Sequence, residues 1–122
     1  MFEVIEGLAD GVVGFSAVGK IGDDDYETTL IPAIDDAVAQ YGKVALLMVL
    51  GEDFDGYTFG AAVDDARLGF RHVSSFRRIA LVTDNEWLRN GAAAMMYLIP
   101  GETRGFSIDD LATAKDWITA AD

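Results

Sequence analysis

Few side-chain types can act as nucleophile, base or soft metal ligand, and here histidine occurs once, as His72, while cysteine is absent. Because there is no cysteine and only one histidine, the chain cannot form a Cys-His catalytic pair or a His-rich zinc site. The sequence also lacks the Gly-x-Ser-x-Gly elbow of a serine hydrolase, and His72 follows Arg71 at the end of a predicted helix. We expect His72 to be structural or exposed, and we predict no catalytic residue.

A glycine-containing stretch at residues 14–22 is the candidate for phosphate binding, because backbone amides between close-packed glycines can approach an anion. It has neither Gly-x-Gly-x-x-Gly nor a Gly-Lys-Ser/Thr ending. Asp23, Asp24 and Asp25 occupy the helix start where the anion would lie, and there they complement the helix dipole. The sequence predicts a helix cap here and no nucleotide cofactor.

Residues 51–56 superficially resemble a calcium loop, since Asp53 and Asp55 alternate ahead of Gly56. When Gly56 is aligned with the invariant glycine of such a loop, Gly51 falls at the first ligand and Ala62 at the bidentate glutamate. We therefore expect a solvated turn, with no metal and no other cofactor.

Two apolar runs without polar alternation, Val44–Leu50 and residues 79–82, are typical of parallel strands buried on both faces. Apolar residues recur at helical spacing after each run and also before the first, where a helix broken near Pro32 ends at Gly42. Residues 2–5 and 12–18 predict an antiparallel pair joined by an Asp-Gly turn. A last strand at residues 103–106 precedes a capped helix.

The resulting order, ββαβαβαβα, predicts an α/β fold with a small mixed, mostly parallel sheet packed with about four helices. The chain of 122 residues has the length of one domain, which we place at residues 1–122.

The charge balance limits the partners, because 21 acidic against 9 basic residues give a formal charge of −12. Such a field repels nucleic-acid phosphates and anionic lipid surfaces, so neither is an expected partner. The apolar runs are far shorter than the roughly 20 residues of a transmembrane helix, and the start lacks the pattern of a secretory signal. We expect a cytoplasmic protein.

Four groups of residues give the chain a family likeness: residues 24–26 (Asp-Asp-Tyr) ahead of the Pro32 helix, residues 64–67 (Asp-Asp-Ala-Arg) with Arg71 and His72, residues 78–84 (Arg-Ile-Ala-Leu-Val-Thr-Asp) leading to Trp87, and Phe106 followed by Leu111, Ala114, Lys115 and Trp117. In their order and spacing they resemble the SpoIIAA-like family. This bacterial group is related to STAS domains, the sulfate-transporter and anti-sigma-factor-antagonist modules.

The resemblance implies a small mixed sheet with helices, no established enzymatic activity, and action through partner binding. Related proteins are in some cases switched by phosphorylation of a serine where the helix after the central strand begins. No Asp-x-Ser occurs here, and Thr58 is the nearest hydroxyl, a vestigial phosphorylation position. Some members are similar to CRAL-TRIO lipid-binding folds, which implies an apolar ligand as an alternative.

Charge placement favours one end of the predicted sheet, because ligands of open parallel sheets bind at the carboxyl ends of the strands. The loops at that end contain eight acidic residues and a single base, Lys20; we call these acidic residues the acidic rim: Asp23, Asp24, Asp25, Glu52, Asp53, Asp55, Asp84 and Glu86. Basic residues gather instead toward the opposite end, at Arg67, Arg71, Arg77 and Arg78.

The leading hypothesis is a non-enzymatic STAS-like interaction or regulatory module whose acidic rim binds a protein partner with a basic surface. The alternative is a carrier that holds an apolar or lipid-like ligand between helix and sheet, lined by Phe59, Phe70, Trp87 and Met95. A carboxylate-based enzyme using Asp53 and Asp55 has the least support. The sequence leaves homo-oligomerisation open.

Overall fold

The centre of the molecule is a pair of parallel strands, β4 (Val44–Leu50) and β6 (Phe76–Thr83), with Met48 opposite Leu81. The structure is a computed structural model that describes residues 1–72, 74–86, 88–90 and 101–120, without the side chains of residues 66, 69 and 70. β2 (Val12–Ala17) pairs with the other side of β4, and β7 (Glu102–Phe106) with the other side of β6, both in parallel.

One short strand makes the sheet mixed, since β1 (Phe2–Val4) runs antiparallel to β2 at the edge. The five strands lie in the order β1-β2-β4-β6-β7. The predicted antiparallel start, the buried central strands and the mostly parallel sheet are thus confirmed.

The first helical region has three parts: α1 (Asp23–Asp25), a π-helical turn (Tyr26–Leu30) and α2 (Ile31–Tyr41). Pro32 lies in the first turn of α2, directly after the π-helical turn. The predicted break near Pro32 is confirmed: the π-helical turn interrupts the regular α-helix just before Pro32. Gly42 ends the helix with a φ of 77°, a conformation that glycine adopts without strain.

The remaining described helices are α3 (Phe59–His72) and α4 (Leu111–Thr119), with a 3₁₀ turn (Ile108–Asp110) before α4. Residues 86 and 88–90, which follow β6, are also helical. Among the described residues, no helix is both long enough and apolar enough to cross a membrane.

Both faces of the sheet are packed, because successive side chains of a strand point to opposite sides. Met48 faces a core that contains Ile34 of α2 and Leu68 of α3. Its neighbour Leu47 belongs to a second core, which contains Ile118 of α4. Burying each such side chain contributes about 1.5–3 kcal/mol, so helices are held on both faces.

A second, two-stranded sheet was not predicted: β3 (Gly19–Ile21) pairs in parallel with β5 (Phe54–Tyr57). The solvated turn expected over residues 51–56 is therefore only partly correct. The Gly19 N–H donates to the Asp53 carbonyl at 2.6 Å, which ties the segment after β4 to the segment after β2.

Candidate functional site: the acidic rim

The acidic rim lies where the sequence places it, at the carboxyl ends of parallel strands. Asp23 and Asp24 follow β3, Asp53 follows β4, and Asp55 lies within β5. All four are exposed. The Asp23 carboxyl reaches the start of α3, since a Cβ built on Gly60 would lie 3.1 Å from Asp23 Cγ. The small β3–β5 sheet therefore gathers two of the acidic loops beside the first turn of α3.

Two rim residues also serve the fold. Asp25 is half-buried, accepts the Gly22 N–H at 2.9 Å and lies 3.5 Å from the amino group of Met1. Asp84 is exposed, but its Oδ1 accepts the Ile108 N–H at 2.9 Å and so caps the 3₁₀ turn. The free negative surface is therefore concentrated in Asp23, Asp24, Glu52, Asp53, Asp55 and Glu86.

Thr58 stands at the start of α3, where its Oγ1 accepts the Ala61 N–H at 3.1 Å. Its own N–H donates to the Ile21 carbonyl at 2.8 Å. The residue is half-buried, and through the Ala61 hydrogen bond its hydroxyl caps the start of α3.

Phe59 departs most from expectation, because its side chain is 86% exposed. The carrier hypothesis placed it between helix and sheet, and that interpretation of Phe59 is wrong. It lies on the first turn of α3, beside the Asp23 side chain that contacts Gly60. The other proposed lining residues, Trp87, Met95 and the side chain of Phe70, lie outside the described part of the chain.

A buried polar network lies below this surface. The Tyr26 hydroxyl donates to Asp65 Oδ1 at 2.9 Å, and the ring centroids of Tyr26 and Tyr57 are 6.2 Å apart. Burial raises the pKa of Tyr57 to about 12 and raises the pKa of Tyr26 well above its ordinary range. Asp65 exposes part of its surface, yet burial of its carboxyl raises its pKa, against the lowering effect of the Tyr26 hydrogen bond.

A pair of carboxyl groups lies next to this network, between α3 and the π-helical turn. Asp64 is only 8% exposed, and its Oδ2 has no hydrogen-bond partner among the described residues. Its negative charge raises the pKa of the exposed Glu27. Within the described ranges, no three carboxylate or imidazole groups are arranged to hold a metal ion.

His72 has the structural role that its position predicted. Its Nε2 lies 2.6 Å from Asp35 Oδ1, and its side chain is 14% exposed. Arg71 Nη2 donates to both carboxylate oxygens of Asp35, at 2.7 and 2.6 Å. These contacts join the end of α3 to α2 and are far in sequence from the acidic rim.

The basic residues at the opposite end largely hold the fold together. Arg77 donates to the Ile118 carbonyl at 3.1 Å, and Arg78 donates to the Trp117 carbonyl at 2.6 Å. The Arg78 guanidinium also lies over the Trp117 ring, 5.0 Å from its centroid. Arg67 on α3 is exposed. The sequence interpretation missed Arg89, a second base at the carboxyl end of the sheet, because its helix follows β6 beyond the loop residues.

The comparisons with known proteins agree with this architecture. The SpoIIAA-like family model matches residues 12–119. Among solved structures, the chain is similar to an uncharacterized protein of the DUF3478 family with a SpoIIAA-like fold from Shewanella loihica PV-4. The identity is 29% and the TM-score 0.73, over 97% of this chain and 92% of that one. No curated protein matches the chain. The chain belongs to the SpoIIAA-like family.

Proposed function

We propose that the chain is a non-catalytic interaction module that binds a protein partner of basic surface through the acidic rim, with Phe59 as the apolar anchor. The observation on which this depends is the 86% exposure of Phe59, whose neighbour in the chain, Gly60, lies against the Asp23 side chain. Fully burying such a side chain contributes about 1.5–3 kcal/mol, and the fold gains little of it. The proposed complex would gain this free energy by burying the ring in the partner.

The charges around Phe59 define the chemistry of the partner. Asp23, Asp24, Asp53 and Asp55 are all exposed, and the whole chain has a charge of −12. A field of this sign accelerates encounter with a basic surface and disfavours acidic partners. The partner surface should therefore present lysine or arginine around an apolar pocket that accepts a phenyl ring.

Site-specific photo-crosslinking in the native cells identifies this partner. A photoreactive phenylalanine analogue at position 59 should yield a discrete crosslinked protein, whereas the same analogue at the exposed Asp36 of α2 should not. The captured protein is then purified and its affinity for the unmodified chain is measured. No discrete product at position 59, or equal products at both positions, would contradict the proposal.

Substitution of Phe59 shows whether the partner binds this side chain specifically or binds exposed apolar side chains in general. Phe59→Ser should weaken the purified complex by about tenfold or more, as loss of a hot spot does. Val4→Ser removes another exposed apolar side chain, 63% exposed in β1, and should leave the affinity unchanged. Both variants should retain the fold, which circular dichroism verifies.

A further inference from the structure

A cavity of about 370 Å³ opens beside the end of β7, and the described residues that line it are Glu86, Arg89, Asn90 and Gly105. Three of the four lie on the helical residues that follow β6. Their spacing of i, i+3 and i+4 places them on one face of that helix. The cavity therefore combines one cation, one anion and one amide at the carboxyl end of the sheet.

Gly105 lets the helix lie close to β7. A Cβ built at this position would lie 3.3 Å from both Cβ and Cγ of Arg89. The aliphatic part of Arg89 thus lies against the strand, which holds the side chain at the cavity wall. Glycine in an otherwise regular strand is typical of such a close approach.

Arg89 differs from the other arginines whose contacts were described above. Arg71 and Arg78 donate to carboxylate or carbonyl oxygens, whereas Arg89 Nε is buried without an acceptor within the described part of the chain. No described carboxylate lies within 4 Å of its guanidinium, although the chain has an excess of acidic residues. Nε is too buried for a ligand oxygen to reach, so the terminal Nη groups, which no described residue engages, are the donors that a ligand would meet.

The guanidinium favours a carboxylate, which it can bind through two parallel N–H groups. Glu86 repels a simple anion and attracts an ammonium group, so the pair favours a ligand with both charges. Asn90 adds an amide that can donate and accept hydrogen bonds. The cavity of about 370 Å³ is open to solvent, so it suits a small ligand that is only partly enclosed.

We propose that this cavity binds a free amino acid or a similar small zwitterion, with its carboxylate on Arg89 and its ammonium group toward Glu86. The site shares Glu86 with the acidic rim but does not involve Phe59, so amino-acid binding and crosslinking at position 59 are measured independently. Failure of one proposal therefore leaves the other standing.

The test is a ¹H-¹⁵N NMR titration of the full chain with each of the standard free amino acids, and with propionate and propylamine as the two half-ligands. At least one amino acid should give saturable shifts at Gly105 and at the Asn90 side-chain amide. It should bind more tightly than either half-ligand. No saturable shift with any amino acid up to its solubility limit would overturn the proposal.

Variants assign the two charges. Arg89→Gln should weaken amino-acid binding by about tenfold or more, as loss of a charge-assisted hydrogen bond does. Arg67→Gln, the same change at an exposed site on α3, should leave the affinity unchanged. Glu86→Gln should weaken the binding of the amino acid and strengthen the binding of propionate. If the Arg89→Gln and Glu86→Gln variants both bind the amino acid with the affinity of the wild type, these two residues do not bind its charged groups. The NMR spectrum of each variant shows directly whether it is folded.

Discussion

The Asp65 carboxyl accepts a hydrogen bond that links α3 to the π-helical turn, but its surroundings disfavour its negative charge. It accepts the Tyr26 hydroxyl at 2.9 Å, and the burial of its carboxyl raises its pKa. Because the folded pKa lies above the unfolded value near 4, the folded state holds the proton more tightly. Asp65 therefore makes its full contribution to the free energy of unfolding below the unfolded pKa near 4, and this contribution is lost as the pH rises through the folded pKa.

Asp65→Asn should therefore raise the free energy of unfolding at neutral pH, since the amide keeps an acceptor for Tyr26 without a partly desolvated charge. It should also flatten the decline in stability as the pH rises above the unfolded value near 4. Urea denaturation as the pH is raised measures both effects, with Asp36→Asn on the exposed face of α2 as the matched control. Lower stability of Asp65→Asn at pH 7 would mean that the charged hydrogen bond outweighs the cost of desolvation.

Asp35 gives the opposite pH dependence. The hydrogen bond from His72, followed by the effect of Arg71, lowers its pKa against a raising effect of burial. A depressed carboxyl pKa contributes stability above the unfolded value near 4, and this contribution is lost as the pH falls through the folded value.

We expect Asp35→Asn to reduce stability at pH 7 by less than about 1 kcal/mol, because the Asp35 side chain is 41% exposed and solvent screens its ion pairs. Acid titration followed by circular dichroism should show a shallower loss of structure in the variant. An unchanged acid transition would show that the contact with His72 and Arg71 adds nothing to the fold.

Among the secondary-structure elements, β7 depends on a close approach that its own sequence does not reveal. Before the strand begins, a Cβ on Gly101 would lie 2.3 Å from the Phe76 carbonyl oxygen and 2.6 Å from that of Arg77. Both neighbours are backbone atoms of β6 and cannot turn away as a side chain can.

Gly101→Ala should therefore destabilise the protein by about 1–3 kcal/mol, as overpacking does. Gly51→Ala is the matched control, because nothing lies within 4 Å of its built Cβ and the change should be close to neutral. Thermal unfolding of the two variants compares them directly. Equal melting temperatures would mean that β7 can move away from β6 at little cost.

The elements that could be predicted from sequence are those with a strong local pattern. The run Val44–Leu50 has no polar alternation, and Pro32 limits where a regular helix can begin. β3 and β5 could not be predicted, because three and four residues that include glycine and charged side chains have little strand propensity of their own. Their pairing depends on the loops that the large sheet brings together.

The candidate site shows the same division. The position of the acidic residues follows from the parallel order of the strands, so it could be predicted from the sequence. The exposure of Phe59 could not, because helical spacing alone does not show which turns of a helix the rest of the fold covers. Arg89 was missed because its place depends on Gly105, a contact between residues far apart in the chain.

Viewed as a whole, the molecule has the exposed carboxylates of the acidic rim at one end of the sheet and most of its arginines toward the other. Arg77 and Arg78 begin β6 and are tied to the end of α4, whereas Asp53 and Asp55 lie beyond the end of β4. A partner approaching the acidic end meets a field that is screened over roughly 8 Å at physiological ionic strength. The proposed interaction should therefore be fast and sensitive to salt.

The most direct measurement is the association rate constant for the purified chain and the protein crosslinked at position 59, followed as salt concentration rises. Asp53→Lys with Asp55→Lys should slow association at low salt and flatten its salt dependence, while the fold is preserved because exposed charges add little stability. Asp36→Lys with Asp116→Lys makes the same change in net charge at exposed sites on α2 and α4, and it should alter the rate much less. If both double variants associate at the same rate and with the same salt dependence, the acidic rim is not the binding surface.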